Sequence, residues 1–232
     1  MKKILTYDDA SLAFDKATPA LISSTAARLS LWAAVMFVVL LAVLHILRPD
    51  LDPSWRFISE YSIGDFGWLM RLAFLSLAVS YVALFIAIRS QIRTIGGYIG
   101  LACLLISAAG LTLAGVFTTD PITTSPDAMT TSGNLHALGG TLGLAMPFAS
   151  VIISWILARN PAWSSARRPL LWAAGLTVIG FLVSILSLMT MIPSDGKFGP
   201  DVPVGWPLRF EILTYCMWLV VAARQALQVR RM

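Results

Sequence analysis

Apolar and polar positions segregate along this chain in blocks the length of a bilayer crossing. Long apolar runs, nearly free of charge, cover roughly residues 29–47, 66–88, 95–118, 135–158, 168–192 and 207–228. A helix needs about 20 apolar residues to cross a hydrocarbon core, and it satisfies its own backbone hydrogen bonds while doing so. The pattern therefore predicts an all-α membrane protein: a six-transmembrane-helix bundle over residues 28–232, preceded by a polar tail over 1–27. Asp8, Asp9 and Asp15 precede the first run, which is too long for a signal-peptide core.

Composition supports the same class. The chain is 57% hydrophobic and 12% charged, about half the charged fraction of a soluble domain. Its net charge of +5 is carried by short scattered clusters, without the aromatic-interleaved basic face that nucleic acid requires. Cys103 and Cys216 lie inside apolar runs with no CxxC, so they read as packing residues.

Charge in the flanks sets the expected orientation. Lys2, Lys3, Lys16, Arg28, Arg89, Arg93, Arg159, Arg167, Arg168, Arg224, Arg230 and Arg231 fall on one side. Only Arg48, Arg56, Arg71, Lys197 and Arg209 fall on the other, together with most of the acids. By the positive-inside rule both termini face the cytoplasm of a plasma (inner) membrane. Trp68 and Trp206 then lie in an outer aromatic belt, Trp32 and Trp172 in an inner one. Gly96/Gly100 and Gly139/Gly143 form GxxxG pairs, read as close packing within the chain, with an oligomer face as the alternative.

RLSLWAA from Arg28 resembles RPLLWAA from Arg168, and GWLMRLAFL from Gly67 resembles GWPLRFEIL from Gly205. The near-constant offset suggests a parallel repeat of helices 1–2 and 5–6, making Arg71 and Arg209 equivalent positions.

Ionisable residues collect at the outer ends of the spans. They are His45, Glu60, Arg71, Asp120, His136, Arg209 and Glu211. Such groups normally face a bundle interior or a watery cavity and pair with one another. Each also has a plainer role: Asp120 before Pro121 can end a helix, His136 can sit at an interface, and the arginines can snorkel or pair with Glu60, Asp120 or Glu211. Glu211 lies two positions from Arg209, on a different helix face, and needs a partner of its own.

Three classes of function follow. Two arginines can clamp an anionic headgroup, so Arg71, Arg209, His136, Asp120, Glu60 and Glu211 would bind, process or move an anionic lipid or amphiphile. A metal-dependent intramembrane hydrolase would use His45, His136, Asp120 and Glu60 as ligands of a zinc-like metal, with His136, Asp120 and Glu60 as catalytic candidates. A haem held by His45 and His136 is a remoter alternative. A scaffold whose charges merely pair is the third. No GxSxG, HExxH, P-loop or GxGxxG is present.

ISEYSIGDFGWLM (58–70), GVFTTDP (115–121), LHALGG (135–140) and PLRFEIL (207–213) together resemble a bacterial and archaeal membrane family, domain-of-unknown-function family nine hundred and ninety-eight. The likeness runs over roughly residues 30–225. It implies six spans and matches Asp120, His136 and Arg209, with Ser59, Glu60 and Tyr61 before the second span. It implies no activity. A distant architectural likeness to Frag1/DRAM-type proteins is implied as well.

Overall fold

The computed structural model describes residues 22–194 and 196–229. Most of the expected polar tail, residues 1–21, lies outside the described residues, as do Asp195, Arg230 and Arg231. Seven α-helices carry the described chain: α1 Ser24–Leu47, α2 Gly67–Ile88, α3 Ile95–Val116, α4 Thr131–Gly143, α5 Met146–Arg159, α6 Arg167–Met191 and α7 Gly205–Val229. With α4 and α5 joined as one span, six helices are long and apolar enough to cross a membrane. The described residues contain no strand.

Capping explains where several helices begin. Ser23, Thr94 and Thr130 each accept a hydrogen bond from a first-turn amide of α1, α3 and α4, satisfying a donor that the helix cannot. Two starts therefore precede the apolar runs. Residues 24–28 and the polar Thr131-Ser132-Gly133-Asn134 are helical because a cap recruits them.

The fourth span departs from the sequence expectation of one unbroken helix over 135–158. It stops at Gly143 and restarts at Met146. Pro147, in the first turn of α5, has no amide to give the carbonyl four residues back, and its ring crowds that position. Leu144 and Ala145 instead donate to Thr141 and Leu142, three residues back.

The spans close into a ring in chain order. α1 packs on α2, α2 on α3, α3 on both α4 and α5, α5 on α6, α6 on α7, and α7 returns to α1. α2 also touches α7 across the middle. Lipid offers no hydrophobic drive between helices, so close packing and interhelical hydrogen bonds hold them. Ser80 Oγ donates to the Ser30 carbonyl at 2.7 Å, and Trp218 Nε1 to Ser154 Oγ at 2.8 Å. A Cβ on Gly110 would lie 2.4 Å from the Gly139 carbonyl oxygen, so α3 and α4 touch backbone to backbone. Gly100 packs on Ile152 and Ile153, whereas Gly96 and Gly143 face open space. One glycine of each GxxxG pair is thus used inside the chain.

The loops 48–66, 117–130 and 192–204 share one end of the bundle, tied by Gly205 N to Ser54 O and by Ile122 N to Glu60 Oε1. Trp68 and Trp206 are exposed near this loop-rich end, and Trp32 and Trp172 near the opposite one. α2 and α7 both begin with a Gly-Trp pair whose glycine abuts a loop carbonyl, Ser62 for Gly67 and Pro53 for Gly205.

Candidate functional site

Beneath the loop-rich end lies a cavity of about 660 Å³. α2, α3, α4, α6 and α7 wall it, and the loop residues Phe57, Ile122, Met129 and Phe198 reach over it. The walls are mostly apolar. The geometry of the fourth span explains the space: α5 packs against both α3 and α6, while α4 above the break is held chiefly by α3. Ala137, Gly140 and Thr141 of α4, with Leu144 just past its end, thereby line the cavity together with Ile185 and Leu188 of α6.

Four of the ionisable residues singled out from the sequence line this cavity: Glu60, Asp120, His136 and Glu211. Glu60 is nearly fully buried. Its Oε1 accepts from Arg56 at 2.7 Å and from the Ile122 amide at 3.1 Å, and its Oε2 from the Phe57 amide at 3.0 Å. It therefore ties two loops together over the cavity mouth. Asp120 accepts from the amide and hydroxyl of Thr130, the cap of α4. A carboxylate there also meets the positive end of the helix dipole. Gly133 makes room for it, since a Cβ would lie 1.9 Å from Asp120 Oδ2.

His136 is buried against the edge of Phe74, with Nδ1 2.9 Å from the Phe117 carbonyl. A carbonyl only accepts, so Nδ1 carries the proton, and in the neutral ring Nε2 keeps its lone pair. At about 1.5 Å per residue, His136 lies roughly 8 Å down α4 and Glu211 roughly 9 Å down α7. Asp120 and His136 thus stand at one cavity, the acid at the start of α4 and the histidine one turn below. Glu211 accepts from Tyr215 Oη at 2.5 Å and, among the described residues, forms no ion pair.

The remaining three do not line the cavity. Arg71 is exposed and donates to the Gly115 and Val116 carbonyls at the end of α3. Arg209 is 3% exposed. Its Nε donates to His45 Nε2 at 2.8 Å, and its Nη1 to the carbonyls of Pro53, Arg56 and Gly205. Its Nη2 is buried without a protein partner. Because guanidinium can only donate, His45 Nε2 must accept, and His45 Nδ1 must then be the donor to the Leu41 carbonyl at 2.7 Å. Both ring nitrogens of His45 are engaged.

The two arginines share a register, each the fifth residue of its helix, yet neither meets an acid. They do not form a clamp with each other over the cavity. Among the described residues, no three His, Cys, Asp or Glu side chains are grouped so as to hold a metal ion. The ligand set His45, His136, Asp120 and Glu60 is not assembled.

Three relevant residues were not anticipated from the sequence: Tyr215, Arg56 and Ser107. Two had a signal. Tyr215 follows Glu211 by four residues, and Arg56 precedes Glu60 by four; these spacings place side chains within reach of one another on a helical turn. Ser107 had none.

A family model described as "Protein of unknown function (DUF998)" matches residues 31–225. No curated protein and no solved structure matches the chain.

Proposed function

The chain belongs to that family of unknown function, and from this premise we propose that it holds an amphiphile inside the membrane. The apolar part lies along the walls of α3, α4 and α6, and the polar part sits beneath the loops. The cavity carries this reading. Its volume is within the range of about 300–1,000 Å³ usual for small-molecule sites, and its mix of apolar walls with a few convergent polar groups is their usual composition. Both termini are assigned to the cytoplasm by the excess of Lys and Arg in their flanks, which turns the loop-rich end outward from a plasma (inner) membrane. An anionic headgroup would call on Arg71 and Arg209, whose guanidinium groups are bonded to backbone carbonyls and His45. The amphiphile reading therefore rests on the cavity and not on an arginine clamp.

Native mass spectrometry of protein extracted in mild detergent tests it, with Gly140→Trp as comparison. Gly140 lines the cavity, and a Cβ there meets nothing within 4 Å, so the indole fills space without displacing backbone. The wild type is expected to retain an amphiphile that the variant lacks. Equal retention by both proteins, or an empty wild type, would refute the proposal.

A further inference from the structure

The charge of the ligand can be argued from the polar atoms of the cavity wall, taking the amphiphile reading above as given. We infer that the cavity selects an apolar monocation, with Glu211 as its counter-charge. Among the described residues no lysine or arginine lines the cavity. An anion would find no opposing charge there.

The acids are not equivalent. Glu60 is paired with Arg56, and Asp120 is bonded at the head of α4. Glu211 alone brings a carboxyl group to the wall with only hydroxyls beside it, those of Tyr215 and Ser184. An ionisable group within a span is costly unless it is paired, and among the described residues no cation forms an ion pair with this one.

The surrounding groups can accommodate a positive charge. In neutral His136, Nε2 is an acceptor, because Nδ1 is committed to the Phe117 carbonyl. Ser107 is fully buried and lines the cavity, and its Oγ has no partner. Phe74, Tyr81 and Tyr215 contribute rings to the wall, and ring faces attract cations. A carboxyl group without a cation, acceptor atoms and aromatic faces in an apolar chamber are complementary to a positive charge on an apolar body.

Tetraphenylphosphonium and tetraphenylborate test this, since they share a shape and differ in charge. Equilibrium dialysis of each against the full chain in nanodiscs should show saturable binding of tetraphenylphosphonium and background binding of tetraphenylborate. Glu211→Gln preserves shape and removes charge; it should weaken tetraphenylphosphonium by about tenfold or more, as the loss of a close charge pair does. Unchanged binding by Glu211→Gln would overturn the assignment. So would saturable wild-type binding of tetraphenylborate, above that of empty nanodiscs, at or beyond that of tetraphenylphosphonium, a comparison that depends on no variant. If an amphiphile co-purifies and Gly140→Trp excludes it, but wild type binds no tetraphenylphosphonium, the charge assignment fails alone. If wild type holds neither, both readings fail.

Discussion

Replacing Arg209 with alanine should cost roughly 3 kcal/mol of stability. The guanidinium makes four hydrogen bonds, three of them to groups outside its own helix: His45 Nε2, the Pro53 carbonyl and the Arg56 carbonyl. Each buried acceptor left without its donor costs about 1–3 kcal/mol. Such losses do not add fully, because the loop at 53–56 can relax toward water. The charge leaves with the side chain, so the full cost of about 3–5 kcal/mol for a buried charge stripped of its partner is not incurred. About 3 kcal/mol is the resulting expectation, a drop of roughly 6–12 °C in melting temperature for a chain of this size. Thermal melting of the detergent-solubilised protein reads it. His45→Ala removes the acceptor of Arg209 Nε, so a double-mutant cycle between the two should show coupling of about 1–3 kcal/mol. If Arg209→Ala melts with the wild type yet loses a bound ligand, the residue is a ligand group and the structural role assigned here is wrong.

Gly139→Ala should destabilise by about 1–3 kcal/mol, since its Cβ would meet the Gly110 carbonyl oxygen at 2.5 Å. Gly143→Ala, with open space around its Cβ, should be neutral or gain up to about 1 kcal/mol from helix propensity; parallel melts distinguish the two sites. Glu60→Ala should untie the loops over the cavity, and hydrogen exchange at the Ile122 amide, which donates to Glu60 Oε1, should speed up by about tenfold if that bond limits local opening. Arg48 holds the exposed Asp50 carboxyl below its usual range through a side-chain hydrogen bond. A lowered folded-state value means that the contribution is present above about pH 4 and lost as pH falls through that value. The melting difference between wild type and Asp50→Asn should be small at pH 6, less than about 1 kcal/mol for so exposed a pair, and should vanish at acid pH.

The six spans were legible because a bilayer imposes a minimum apolar length, and the runs at 66–88, 95–118, 168–192 and 207–228 correspond within a few residues to helices of the bundle. The starts of α1 and α4 were not, because Ser23 and Thr130 extend the helices into sequence that reads as polar loop. The break at Leu144–Ala145 was written in Pro147, but an apolar run conceals a proline in hydropathy, which counts side chains and not missing amides. The site was half legible. Glu60, Asp120, His136 and Glu211 share a cavity. Arg71 and Arg209, matched in register, differ in surroundings: one is exposed and the other buried. The rotation of each helix decides that, and rotation depends on packing with partners that spacing along the chain does not identify.

The chain-ordered ring has a consequence for biogenesis. Most contacts join consecutive spans, so each helix entering the membrane can dock on the helix just inserted. The exceptions all involve α7, which packs on α1 and more lightly on α2 and α5. Until the last span arrives, the buried face of α1, with Ala27, Ala34, Phe37 and Leu44, lacks one of its two neighbours, and His45 lacks the arginine that fixes its tautomer. A chain arrested before α7 is an open arc in which the Arg209-facing nitrogen of His45 has no donor.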